Sequence, residues 1–237
     1  MKRMCISMLA GVALVVSGCG GSSDPPTPSA KWEAAHPIDV ILADCSSYQP
    51  YLARFIPGMV EIAENSAVHR RDLYAACFDG APLRTLQWAI KENFGEPYPG
   101  ETAKESEGEN LASAAGLREA FEKMIKTPER VRGSGQLEAL ELVAETPGVG
   151  RVWMFTDAIP NEVEGIVLEH ASENAIDKTA ETWIPRMGKG LRNVQVAFVG
   201  VGFGTYSTIE VRKAKVLFKK IVEGAGGHFV WTQTPLN

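Results

Sequence analysis

The sequence predicts an α/β protein: a doubly wound, mostly parallel central sheet flanked by helices, of Rossmann-like architecture. Three observations carry this. Short apolar runs alternate with longer segments whose apolar residues recur at helical spacing. The runs are near-continuous rather than polar at every second position, as in strands buried on both faces. The composition is that of a globular chain, with 237 residues, 45% hydrophobic and 22% charged. That argues against a disordered chain, a collagen or a coiled coil. A core of this size needs no disulfide framework.

The elements follow in order. Residues 38–43 (IDVILA) read as a buried strand. Behind them Leu52, Phe55, Ile56, Met59, Ile62 and Ala63 fall at helical spacing, and Pro57 with Gly58 should kink that helix or delay its start. Residues 73–78 (LYAACF) are a second strand, and 83–90 hold a third at the edge. Residues 93–110 are rich in Gly, Pro and Glu without an apolar period, which reads as a loop. A loop this long is a place for a gate over a binding face. Residues 111–125 (LASAAGLREAFEKMI) form an amphipathic helix, and 136–144 a further turn or two. A strand at 151–156, a helix at 174–187, an apolar strand at 194–201 and a helix at 209–223 follow. Gly224, Gly226 and Gly227 end that helix before a last strand at 228–232. Ligands of such folds bind beyond the carboxyl ends of the strands, so polar residues there matter most.

The N-terminus stands apart. Lys2 and Arg3 precede residues 6–16 (ISMLAGVALVV), an uncharged run too short to span a bilayer and suited to a secretory signal. Val16, Ser17, Gly18 and Cys19 come next. This start resembles a bacterial lipoprotein signal, in which small residues precede a Cys that is acylated and becomes the new N-terminus. The resemblance implies a signal peptide at 1–18, a lipid on Cys19, a tether at 19–35 and a domain at 36–237. Losing Lys2 and Arg3, and no acid, would lower the net charge from −5 to −7. Stable anchoring needs more than one acyl chain, which this modification supplies. Gly20 stands where an inner-membrane retention Asp would be, which points to the outer membrane. The Gly, Ser and Pro of residues 20–35 make an extended, solvated tether, with Trp32 left to pack on the domain or a partner.

Within the domain, the first strand runs into Asp44, Cys45, Ser46, Ser47 and Tyr48, and the fourth into Thr156, Asp157 and Ala158. Gly108, Glu109, Asn110 and Leu111 open the long helix. At these residues the chain resembles a von Willebrand factor type A domain, over about 36–234. The family's Asp-x-Ser-x-Ser is matched by Asp44 and Ser46, with Tyr48 replacing the last Ser. Its Gly-Thr-Asn-Leu-like stretch is GENL here, with Glu109 in place of Thr, and its Thr-Asp-Gly is Thr156, Asp157 and Ala158. The VAFVGVGFG and GAGGHFV segments are also similar.

The resemblance implies a metal-ion-dependent adhesion site. Hard cations such as Mg²⁺ or Mn²⁺ take oxygen donors in an octahedron. In this family three loops supply them, and one position stays open for a carboxylate of a partner protein. Asp44, Ser46 and Asp157 carry over as ligands. Tyr48 does not, because its phenol projects too far. Glu109 brings a longer, charged donor: it either adds a third carboxylate or points away and leaves the site degenerate. Without the resemblance, Asp44, Ser46 and Asp157 read as helix caps.

Other classes are disfavoured on chemistry. A net charge of −5 without a basic stripe disfavours nucleic acid. Gly200, Gly202 and Gly204 do not put the third glycine where a dinucleotide loop needs it, and the acidic partner of such a loop is lacking. A phosphatase of the haloacid dehalogenase type wants a second carboxylate where Ser46 stands. No Gly-x-Ser-x-Gly elbow exists, and His36, His69, His170 and His228 are scattered. Cys45 and Cys77 fall near the carboxyl ends of neighbouring strands. In an oxidising compartment they bond or stay as buried thiols, and both outcomes remain open. The expectation is a lipid-anchored envelope protein that binds a protein partner and is not an enzyme. The alternatives are a degenerate domain with a metal-independent structural role in an envelope or secretion assembly, and an envelope hydrolase.

Overall fold

The structure is a computed structural model that describes residues 37–45, 52–95, 100–126, 135–156, 159, 167–200 and 207–232. Cys19, Ser46, Tyr48, Asp157 and Trp32, with the signal and tether, lie outside the described residues. Six strands form one sheet: β1 (Ile38–Asp44), β2 (Asp72–Phe78), β3 (Ile90–Glu92), β4 (Val149–Phe155), β5 (Gln195–Val199) and β6 (His228–Thr232). Their spatial order is β3-β2-β1-β4-β5-β6. Every pairing is parallel except β2 with β3. The helices are α1 (Leu52–Val68), α2 (Pro82–Thr85), α3 (Ala103–Ile125), α4 (Gln136–Ala144), α5 (Glu173–Met187) and α6 (Thr208–Gly224). The fold is the doubly wound α/β sheet that the apolar runs predict. Among the described residues no helix is long and apolar enough to cross a membrane.

Alternation along each strand divides the core in two. Val40 and Leu42 of β1, Val152 and Met154 of β4, and Val196 and Phe198 of β5 face α4, α5 and α6. Ile41, Ala43, Trp153, Phe155, Ala197 and Val199 face α1 and α3. Burial on both sides explains why the strands read as continuous apolar runs.

Three expectations need correcting. The helix α1 does not start late: it begins at Leu52 and runs on past Pro57. Proline removes one bond to the carbonyl four residues earlier. The buried stripe of Phe55, Ile56, Met59, Val60, Ile62 and Ala63 outweighs that local loss. Residues 83–90 are not a strand: Pro82 opens the short helix α2, and the edge strand is β3, starting at Ile90. Residues 93–110 are not all loop. The helix α3 starts at Ala103, with a reciprocal capping box between Thr102 and Glu105. Its first turns are polar because they face solvent, so they show no apolar period. The Thr-x-x-Glu signature at 102–105 marked this start.

β3 sets the direction of α3. It runs antiparallel to β2, with Glu92 opposite Leu73, and so returns the chain to the amino-terminal end of the sheet. Ser113 Oγ on α3 donates to Glu92 Oε1 at 2.6 Å. At the other end of α3, the Met124 carbonyl lies 3.2 Å from Cys77 Sγ, near the carboxyl end of β2. The helix therefore rises alongside the sheet from its amino-terminal to its carboxyl-terminal end.

Candidate functional site at the strand carboxyl ends

The strand order reverses between β1 and β4, which makes their carboxyl ends the switch point where doubly wound folds bind ligands. Asp44, the last residue of β1, is 0% exposed. Thr156, just past β4, donates its hydroxyl to Asp44 Oδ2 at 2.9 Å. Gln136, the first residue of α4, donates Nε2 to Thr156 Oγ1 at 3.3 Å. The three form a buried polar chain from β1 through β4 to a helix start. Gln136 is 1% exposed, and its Oε1 has no hydrogen-bond partner. An unspent buried acceptor costs about 1–3 kcal/mol, so it marks a place where a donor or a cation would be favourable.

The neighbouring exit, after β2, is pinned to the same helix start. Gly135 N–H donates to the Asp79 carbonyl at 2.8 Å, and Ala81 N–H donates to Asp79 Oδ1 at 2.9 Å. A Cβ on Gly135 would stand 2.9 Å from the Asp79 carbonyl and overlap the Pro82 ring, so only glycine allows this approach. The chain exits from β1, β2 and β4 thus meet at the start of α4.

Cys45 and Cys77 are joined in a disulfide, with Cα atoms 5.6 Å apart. Cys45 N–H also donates to the Phe78 carbonyl at 2.8 Å. The residue immediately before the 46–51 segment is thereby held to β2 by a covalent bond and a hydrogen bond.

Glu109 is not brought to this site. It is exposed on α3, one turn before Ser113, at the amino-terminal end of the sheet. Fifteen residues separate it from Met124, about 22 Å along a helix at 1.5 Å per residue. The GENL stretch lies inside a helix rather than opening one. Ser46 and Asp157 belong to the segments that leave Asp44 and Thr156 directly, outside the described residues. Among the described residues no three acidic, His or Cys side chains gather as metal ligands. The oxygen donors that do meet are the Asp44 carboxylate, the Thr156 hydroxyl and the Gln136 amide, all hard donors of the kind Mg²⁺ accepts. Sequence reasoning missed Gln136. Its one signal is its place at a helix start after Gly133, Ser134 and Gly135.

At the opposite end of β1, Asp39 is also fully buried. It accepts from Arg71 Nε at 2.8 Å, from Arg151 Nε at 2.9 Å and Arg151 Nη2, and from Ser66 Oγ at 2.7 Å. Arg151 also donates to Asn65 Oδ1 at 3.0 Å and lies over the Trp153 ring. This network ties the end of α1 to β1 and β4; it satisfies its members internally and is structural.

No protein-family model matches the chain, and no curated protein matches it. The fold and site place it in the class of doubly wound α/β domains with a polar switch-point site.

Proposed function

We propose that this chain is a lipid-anchored envelope protein of the von Willebrand factor A type, whose domain binds a protein partner at the strand carboxyl ends. The observation that carries the reading is the buried Asp44–Thr156–Gln136 chain at the switch point, with one amide oxygen unspent. Asp44, Ser46 and Asp157 are its cation ligands, and Gln136 stands where Glu109 was expected. A neutral amide in place of a third carboxylate leaves Mg²⁺ or Mn²⁺ with more residual charge, which favours capture of a partner's carboxylate. Residues 1–19, with Cys19 as the acylated residue, support the anchor.

A second reading is favoured by one finding: Glu109 stands at the far end of the sheet, and Thr156 already holds an Asp44 oxygen. The site then works without metal, as a structural contact in an envelope or secretion assembly. Thermal unfolding of the full chain in EDTA and in about 10 mM Mg²⁺, beside Asp157→Asn, separates the two. A cation at a hundred times its dissociation constant adds about 2.7 kcal/mol, a shift of several degrees. A shift in wild type that the variant lacks supports the metal reading. No shift, with photo-crosslinks from position 48 to the same protein in EDTA and in Mg²⁺, supports the second. Absence of crosslinks from positions 48 and 158, or turnover of simple phosphate or ester substrates that Asp44→Asn abolishes, overturns partner binding as the function. Acyl labelling that survives Cys19→Ser would sink the anchor.

A further inference from the structure

The chain carries −5 in total, yet α6 holds Arg212, Lys213, Lys215, Lys219 and Lys220 against Glu210 and Glu223, a local +3. The rest of the protein therefore carries −8. This segregation sits on the last helix before an edge strand, far in sequence from the residues of the switch-point site.

Not all of these cations are available. Lys220 Nζ pairs with Asp177 Oδ1 at 2.7 Å, Lys219 reaches Glu223 at 3.9 Å, and Lys213 Nζ donates to the Glu169 carbonyl at 2.7 Å. Arg212 and Lys215 are exposed, and neither makes an ion pair with another described residue. Ile209 and Val216 lie along the same outer surface, 51% and 39% exposed. The spacing 209, 212, 216 places Ile209, Arg212 and Val216 on one face of the helix, and Lys215 flanks that face beside Arg212. The inner stripe of Ala214, Leu217, Phe218, Ile221 and Val222 is buried in the core, and these outer apolar residues lie outside it. Beside them a groove of about 420 Å³ opens between α5 and α6, with Ile176 and Val216 as its apolar lining, Arg212, Lys213 and Lys220 as its cations and Glu173 and Asp177 as its anions; Asp177 is paired with Lys220, so the cations are in excess by one.

The geometry points to α6 as a membrane-docking face: Ile209 and Val216 enter the headgroup region while Arg212 and Lys215 pair with the phosphates of anionic phospholipids. Exposed apolar residues interleaved with Lys and Arg suit such an interface. Two available cations and two apolar side chains give weak binding on their own. The inference rests on the lipid anchor at Cys19, which turns that weak contact into an intramolecular one at high effective concentration. Reach is sufficient. The 18 residues from Cys19 to Pro37 extend to at most about 60 Å, against a radius of gyration of about 16 Å for a globule of some 200 residues. Docked on α6, the domain would hold its partner-binding face in a defined orientation to the bilayer.

The test uses the full acylated chain with an environment-sensitive fluorophore on Val216→Cys, in vesicles of phosphatidylcholine alone or with about a third phosphatidylglycerol. The expected result is a blue shift on the anionic vesicles only, lost at about 1 M salt, where screening acts within about 3 Å. Arg212→Ala with Lys215→Ala should weaken the docking roughly 30-fold without changing thermal unfolding. Equal emission on both vesicles overturns the proposal, as does a shift that persists in the double variant. A shift with soluble polyglutamate and none with vesicles would give the face to an acidic protein partner instead. Failure of the anchor shows separately, as absent acyl mass on Cys19 and no flotation with phosphatidylcholine vesicles.

Discussion

Replacing Cys45 and Cys77 together by Ala tests how firmly the first strand exit is held. The bond closes a loop with a sequence separation of 32 residues. The chain-entropy relation assigns about 3.7 kcal/mol at 25 °C to a loop of that size. Both sulfurs are buried between β1, β2 and the end of α3, so the lost packing adds to the loss rather than offsetting it. A domain of this size shifts by roughly 2–4 °C per kcal/mol, so the midpoint should fall by about 7–15 °C. Thermal unfolding followed by circular dichroism reads this for the wild type, the wild type with reductant, and the double variant. The reduced wild type and the variant should unfold close together. The Cys45 amide, hydrogen-bonded to Phe78 in the intact protein, should exchange faster in both. The reasoning is refuted if reduction leaves the midpoint unchanged, or if unreduced protein yields free thiols at both positions by mass spectrometry.

Three further predictions follow from other parts of the fold. Asp39→Ala leaves two guanidinium groups facing a hole; breaking a buried pair costs about 3–5 kcal/mol, and because Arg71 and Arg151 keep 21% and 25% side-chain exposure the loss should fall at or below the lower end in urea unfolding. Gly190→Ala drives a Cβ into the Ala144 carbonyl, a backbone group that cannot swing aside, so the variant should lose several kcal/mol or fail to fold, and a wild-type denaturation midpoint would contradict the packing of the α5–β5 turn on α4. The Thr102 hydroxyl and amide donate to the Glu105 carboxylate and hold its pKa below the ordinary value. A depressed folded-state pKa contributes stability that is present above the unfolded value and lost as pH falls through the lowered one. The first turn of α3 should therefore fray in acid, seen as falling protection of the Glu105 amide in hydrogen exchange; Thr102→Ala should show that low protection already at neutral pH.

Much of the fold was legible because its signals are local. The β1 run from Ile38, the helical spacing from Leu52 to Ala63, and the glycines after α6 each report a neighbourhood of a few residues. The start of α3 was legible too, through Thr102 and Glu105, but its solvent-facing first turns hid it from any search for apolar period. Asp39 shows the limit in the other direction. Inside IDVILA it reads as one polar residue in a strand, and nothing nearby announces Arg71, or Arg151 at 112 positions away.

By itself the sequence determined the layers: which segments pair into a sheet, which cover it, and that polar residues close β1 and β4. Only the tertiary structure decided which of those residues meet. The reason is β3, a three-residue strand that runs antiparallel and returns the chain to the amino-terminal end of the sheet before α3 begins. That reversal carries Glu109 about 22 Å along α3 from the end that packs beside Cys77. It leaves the place beside Thr156 and Asp44 to Gln136, which arrives on the next helix. Strand direction depends on which edge a short segment joins, and that choice is made by packing across the whole sheet rather than by any local pattern.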